Sequence, residues 1–293
     1  RRLLRDARAQ RPPPHRDDKA LTSWNGLAIA AFARAGFALD DARYLSRAAR
    51  GAEFLLQHHR GADGTLLRSS RGGAAQIEGF LDDYAFLGAA LLDLFEATGE
   101  QRWLDAAIDL QRRLDEGFAD ADAGGYFMTS VRHEALLLRQ KPDYDGAEPS
   151  GNSIAAENLV RLAELTTDDT YRQRAERTVA ALARRGTGAP RLLCALDFLL
   201  DDAREIVLVS PDAASAKPLL DVTRELFLPN RVLALVVPPA RPVLSITEGK
   251  QARDGSATAY VCVRGACELP TTDPLVLRRQ LAAVKPLRAI APK

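Results

Sequence analysis

The sequence predicts a mainly α protein built from repeated helical hairpins, followed by a small α/β region toward the C-terminal end. Two observations carry that reading. First, one pattern occurs three times: an aromatic residue, an Ala four positions on and a Leu eleven positions on. The copies are Tyr44, Ala48, Leu55; Trp103, Ala107, Leu114; and Tyr171, Ala175, Leu182. These spacings keep the three side chains on one helical face. A second helical run precedes each copy, at residues 23–37, 82–97 and 150–165, so the unit is a pair of helices. A hairpin cannot bury its own apolar face, so such units stack side by side. Second, the texture changes after about residue 203. Residues 205–210 and 231–237 are β-rich apolar runs flanking a helical run at 213–227, which reads as a βαβ unit.

Taken in order, residues 1–10 form a basic helical run that Pro12, Pro13 and Pro14 end, forcing an extended segment. Thr22 or Ser23 is placed to N-cap the first repeat helix. Asp40 and Asp41 mark the turn into the Tyr44 helix, which ends near His58 and His59, where imidazoles complement a helix C-terminus. Asp63-Gly64 turns between short extended pieces, a hairpin on the rim. Gly99-Glu100 turns into the Trp103 helix, and Gly124-Gly125-Tyr126-Phe127 opens a further extended hairpin. The third unit turns at residues 167–169 and ends near Gly186. Residues 191–201 read as one more helix of the repeat region. A third strand is expected at 257–263 and a final helix at 274–284. The organisation expected is a repeat region over 1–203 and an α/β region over 204–293.

Composition narrows the function. Of 293 residues, 46% are hydrophobic and 27% charged, ordinary for a globular protein. Forty basic against 39 acidic residues leave a net charge of +1, so no global field favours nucleic acid or an anionic membrane. No apolar run reaches the length of a membrane span; the longest, such as 232–239, suit a buried strand. The chain starts at Arg1, and its single Met is Met128. It therefore reads as a C-terminal piece of a longer protein or a processed chain. Three cysteines are no disulfide framework, and a reducing, cytoplasmic location is expected. Cys194 sits in an apolar helix and reads as core. Cys262 and Cys267 read as partly buried thiols, with a redox pair, a disulfide or half a metal site as the alternatives. No His or Cys spacing suits a metal centre, and the first βα turn, Ser210-Pro211-Asp212, lacks a glycine-rich phosphate loop. No metal or cofactor is expected.

The loops leading into the three inner helices hold the chemistry. The first carries His15, Arg16, Asp17, Asp18 and Lys19, then Trp24 and Asn25. The second carries Asp82, Asp83 and Tyr84. The third carries Asp145, Glu148, Ser150 and Asn152. Stacked hairpins bring equivalent loops to one end, so these residues are expected around a shared mouth. Opposed carboxylates suit sugar chemistry, one protonating an oxygen while the other acts as base or nucleophile. Asp17, Asp18, Asp82, Asp83, Asp145 and Glu148 are the acid/base candidates. His15, Arg16, Lys19, Trp24, Asn25, Tyr84, Ser150 and Asn152 are the candidate substrate contacts. Set against this, Thr22, Asp82 or Asp83, and Ser150, each taken alone, read first as helix N-caps, and Trp24 reads first as a core residue.

Three segments, residues 14–26 (PHRDDKALTSWNG), 79–86 (GFLDDYAF) and 145–153 (DGAEPSGNS), closely resemble the YyaL-like, thioredoxin-domain-containing proteins related to a spermatogenesis-associated protein. The tail around Tyr260, Cys262, Cys267 and Pro270 is similar to the same family. The resemblance covers nearly the whole chain. It implies helical hairpins of a partial (α/α)6 toroid, akin to six-hairpin glycosidases and N-acylglucosamine 2-epimerases, with a thioredoxin-like domain as partner. The function it implies is a sugar-directed pocket acting on a small-molecule ligand. The alternative is a non-catalytic or redox-linked binding module working with that thioredoxin-like domain.

Overall fold

The computed structural model describes residues 1–134, 137–183, 188–238 and 244–282. The hairpins are as expected. Helix α1 (Arg2–Ala9) buries no residue and leads through the proline segment to β1 (Ala20–Leu21). Then come α2 (Thr22–Ala38) with α3 (Ala42–His58), α4 (Leu81–Thr98) with α5 (Gln101–Phe118), and α6 (Gly151–Thr166) with α7 (Asp169–Leu182). Helix α8 (Pro190–Leu200) packs beside α6 and extends the inner row α2–α4–α6.

Inner and outer helices differ in their residues for a physical reason. Fourteen of the eighteen residues of α4 are buried, whereas α5 buries a stripe of seven, including Trp103, Ala107 and Leu114. A helix enclosed on all sides must be apolar all round; one facing water needs only one apolar stripe. Ala48, Leu55, Ala175 and Leu182 of the repeated pattern are likewise buried on α3 and α7.

A small sheet, ordered β1-β2-β3, covers the rim, with β2 (Leu67–Ser70) and β3 (Ala75–Glu78) antiparallel. The hairpin expected around Asp63-Gly64 is only a turn closing a single Arg60–Leu66 bridge, and the strands follow it. At 124–127 a lone Ala119–Tyr126 bridge stands where a hairpin was expected. The end expected near Gly186 lies outside the described residues, as do the last two residues of the final helix, described as α10 (Pro274–Ala282).

The α/β region is a four-stranded sheet ordered β5-β4-β6-β7. Strands β4 (Arg204–Val209) and β5 (Arg231–Val236) are parallel, joined by α9 (Ala213–Glu225). Strand β6 (Thr258–Val263) runs antiparallel to β4, and the short edge strand β7 (Ala266–Cys267) pairs with β6. The period of two sorts the faces. Val207, Val209, Val232, Tyr260 and Cys262 join the core of the helical repeats. Ile206, Leu208, Leu233, Ala259 and Val261 pack under α9 and α10.

Several local expectations are corrected. Neither Thr22 nor Ser23 is the N-cap of α2: Leu21 holds that position, and Thr22 Oγ1 instead donates to the Leu67 carbonyl at 2.6 Å and bonds His59 Nδ1 at 2.8 Å. His59 is buried, and burial lowers its pKa, so it stands as a neutral ring between Thr22 and Ser70 rather than as a cation on the helix end. Cys194 is exposed on α8 rather than core. Cys262 and Cys267 form a disulfide rather than two thiols.

Candidate functional site

The N-terminal ends of α2, α4 and α6 open onto one cavity of about 1030 Å³. Trp24 from α2, Asp82 from α4, and Tyr144, Glu148 and Ser150 from the segment before α6 line it. The three polar loops thus meet at one mouth, though each contributes only part of its polar set.

Asp82 is the second residue of α4, and Gly151, the first residue of α6, donates its backbone N–H to it. A Cβ at Gly151 would overlap Asp82 Oδ1 and lie 2.6 Å from Leu81 Cγ, so the carboxylate approaches α6 only because that position is glycine. Burial raises the Asp82 pKa to about 6, and the nearby charges of Asp83 and Glu148 push the same way. Glu148 Oε2 accepts from the indole Nε1–H of Trp24 at 2.9 Å, a bond joining α2 to the α6 loop along the cavity wall. Trp24 is 61% exposed and Tyr144 69%, and both aromatic residues line the cavity.

The neighbouring carboxylates do something else. Asp83 is fully buried; its Oδ1 accepts from the Ser23 N–H at 2.9 Å, and its Oδ2 from the Phe80 N–H at 2.9 Å and from Arg68 at 3.2 Å. It closes the first turn of α4 and ties α2 to it. Burial raises its pKa against the pull of those bonds. Asp145 takes the Ser150 N–H at 2.8 Å on one oxygen and the Arg191 N–H at 2.7 Å on the other, holding the starts of α6 and α8 together. Ser150 is the N-cap of α6, accepting from the Ser153 N–H at 3.1 Å.

Asn152 is fully buried and clamps the chain, accepting from the Tyr126 N–H and donating to the Tyr126 and Pro142 carbonyls, each at 2.8 Å. Tyr84 is buried, its hydroxyl accepting from the Leu66 N–H at 2.9 Å. Asn25 donates to the Leu21 carbonyl at 2.8 Å. His15, Arg16, Asp17, Asp18 and Lys19 are exposed before β1 and outside the cavity lining; Arg16 pairs with Asp18, and Lys19 with Asp17 at 3.1 Å.

Met128, Leu138, Gln140 and Lys141 also line the wall and carry no periodic signal in the sequence. The Met128 N–H donates to the Gln140 carbonyl at 2.7 Å and the Leu81 N–H to the Met128 carbonyl at 3.0 Å, so this wall is latched to the start of α4. Lys141 Nζ is held by Asp120 and the Gly124 carbonyl. Among the described residues no group of His, Cys, Asp and Glu is arranged to hold a metal ion, and no helix is long and apolar enough to cross a membrane.

Comparison with known proteins fits this architecture. No family profile matches the sequence. Spermatogenesis-associated protein 20 of Homo sapiens is 36% identical over 297 residues, covering 95% of this chain and 38% of that protein. The Rattus norvegicus protein is 36% identical over 302 residues with the same coverage. The chain thus spans about two fifths of the curated relatives it matches. Among solved structures, a GH76 α-mannanase of Bacteroides thetaiotaomicron superposes with a TM-score of 0.50 at 18% identity, over 60% of this chain and 46% of that one. Cellobiose 2-epimerase from Bacillus thermoamylovorans gives 0.49 at 16% identity, over 57% and 45%. The helical hairpins are part of an (α/α)6 toroid. With more than a third of its aligned residues identical along 95% of its length, the chain belongs to the spermatogenesis-associated protein 20 family.

Proposed function

We propose that the mouth formed by α2, α4 and α6 binds a sugar, and that Asp82 moves a proton on it while Glu148 serves as the second carboxylate. The observation that carries this reading is Asp82 itself. A carboxyl that titrates at about 6 holds and releases a proton near neutral pH, which an ordinary aspartate does not. It stands in the wall of a cavity large enough for a small oligosaccharide. Glu148 shares that wall, oriented by the Trp24 indole. A protonated Asp82 can donate to a glycosidic or ring oxygen, and the Glu148 carboxylate can balance developing positive charge or take up a proton. The rings of Trp24 and Tyr144 suit the apolar face of a pyranose. The α-mannanase that shares the fold acts on a sugar polymer by its name, which makes sugars the first ligands to try; the fold alone does not choose among them.

The test is a thermal-shift and calorimetric screen of this chain against mono- and disaccharides, amino sugars and sugar phosphates. A sugar that binds the parent chain, and is lost in Asp82→Asn and Glu148→Gln variants that remain folded, supports the reading. A folded chain that ignores the whole panel rejects it.

A further inference from the structure

The Cys262–Cys267 bridge is outside the lining of that cavity, on the edge of the C-terminal sheet. Its two sulfurs are unlike. Cys262 is 1% exposed and packs into the core of the helical repeats, whereas Cys267 is exposed on β7, the edge strand. The hairpin that carries them already holds itself. Cys262 faces Cys267 and Val263 faces Ala266 in register, across a two-residue turn in which Arg264 and Gly265 both have positive φ. The bridge spans five residues of sequence, so it closes little loop that the ladder has not closed.

On the other side of Cys262 stands an ionisable group. Glu205 of β4 is its direct partner in the antiparallel register, so both side chains project from the same face, with Cβ atoms about 4.5–5.5 Å apart. Glu205 is 4% exposed and has no basic partner within ion-pair distance among the described residues. Its Oε1 accepts from the Gly265 N–H at 3.1 Å, and the Arg264 backbone also bonds it, so the carboxyl touches the turn that joins the two cysteines.

We propose that Cys262–Cys267 is a redox-active disulfide that exchanges with dithiols, with Glu205 as the proton donor to the buried sulfur. A dithiol thiolate attacks the exposed Cys267 Sγ, forming a mixed disulfide and breaking the Cys262 bond. The Cys262 thiolate, left in an apolar wall, takes the proton of the Glu205 carboxyl. The second thiol of the dithiol gives its proton to water and attacks the first sulfur; the dithiol leaves as a cyclic disulfide and releases Cys267 as a thiolate, and Cys267 and Glu205 each take a proton from water. Two electrons pass from the dithiol to the protein, and the dithiol is oxidised. Burial favours the protonated Glu205 that the step requires. Around it, Glu164 of α6, itself paired with Arg172, pushes in the same direction, while Lys250 and the turn amides oppose; Arg264 faces Asp202.

The experiment exposes the native chain to dithiothreitol, traps thiols with iodoacetamide and counts them by mass, from mildly acidic to mildly alkaline pH. Rates are divided by the dithiothreitol thiolate concentration. The expected result is reduction in the folded state, at a rate indifferent to low urea, whose normalised value falls as pH rises and Glu205 ionises. Glu205→Gln keeps the acceptor for the Gly265 N–H but has no proton to give; its normalised rate is expected to fall at least about tenfold at acidic pH and to lose the pH dependence. Reduction that tracks the unfolded fraction in urea overturns the proposal. So does a flat normalised profile in the parent chain, which decides the matter even if Glu205→Gln folds poorly, and so does a folded Glu205→Gln variant that reacts like the parent.

Discussion

Arg161 on α6 donates to Glu96 on α4 at 2.8 Å, and the same guanidinium nitrogen lies 2.8 Å from Asp93 one turn earlier. The pair is the centre of a chain of charges. Asp93 continues to Arg34 of α2 at 2.7 Å, and Glu96 to Arg231 of β5 at 2.7 Å. Five side chains thus link three inner helices to the α/β region along the wall of a second cavity of about 710 Å³. The Arg161 side chain is 6% exposed and that of Arg34 is 51%. Removing the inner guanidinium takes one of two cationic partners from each buried carboxylate, leaving Asp93 to Arg34 and Glu96 to Arg231, so Arg161→Met is expected to cost about 3 kcal/mol. Arg34→Met removes a half-exposed partner and is expected to cost at most about 1 kcal/mol. Urea unfolding of both variants measures the contrast; equal losses would refute the central placing of Arg161.

Asp82 gives stability the opposite sign from most acidic residues. Its folded pKa, about 6, lies above the ordinary 3.8, so between those values the folded chain holds more protons than the unfolded one. Stability from this group is therefore present at low pH and lost as pH rises through about 6. At neutral pH the ionised carboxylate is a burden with an upper bound of about 3 kcal/mol. Asp82→Asn is expected to raise the melting temperature by a few degrees above neutral pH and to change it little near pH 4. Calorimetry across that range checks both limbs. A uniform destabilisation would mean that the carboxylate is a helix cap and not a proton-transfer group.

Asp83 is predicted to behave in the contrary way to its neighbour. Two backbone amides and Arg68 converge on its two oxygens, and an amide nitrogen in place of either oxygen orphans at least one of them. Asp83→Asn is expected to lose about 1–3 kcal/mol. Any sugar bound by the folded fraction should bind with unchanged affinity. Chemical denaturation combined with calorimetric titration separates these effects; a stable Asp83→Asn chain that no longer binds would move Asp83 into the site.

That divergence marks how far the sequence could be read. Stripes such as Trp103, Ala107 and Leu114 set the helices and which face is buried, because a period of 3.6 is written in the residues. The convergence of three loops followed from stacking the hairpins. What each carboxylate does was not readable: Asp82 and Asp83 are adjacent, yet about 100° of helical rotation turns one to the cavity and the other under the rim. Asn152 looked like a ligand contact because a buried amide clamping Tyr126 and Pro142 leaves no pattern in one sequence. The disulfide stands among the alternatives in the sequence, and the two-residue Arg264-Gly265 turn, which puts Cys262 and Cys267 opposite each other, is what selects it.

Gly151 offers a test that removes no polar group. Its added Cβ would displace the Asp82 carboxylate and press on Leu81. Gly151→Ala is expected to lower stability by about 1–3 kcal/mol through overpacking. In the chain that still folds, the Asp82 pKa should shift, because the Gly151 amide no longer meets the carboxylate in the same geometry. Carbon-detected NMR titration of Asp82 reads the shift directly, and an unmoved pKa in a stable variant would show that the close approach to α6 is not what sets it.

Trp24 combines two contributions that substitution can part. Its ring lines the cavity, and its indole N–H holds Glu148 at 2.9 Å. Trp24→Phe keeps an aromatic face and loses the donor; Trp24→Ala loses both. If the indole orients Glu148, Phe should weaken sugar binding by about 1 kcal/mol, roughly fivefold, with the ring still stacking. Ala should weaken it by a further 1 kcal/mol or about that. Neither change should alter stability by more than about 0.5 kcal/mol, because the side chain is largely exposed. Titration calorimetry with a sugar found in the screen orders the three proteins. Equal affinity in the parent and Trp24→Phe chains would show that Glu148 needs no help from the indole. Equal affinity in all three would remove Trp24 from the site.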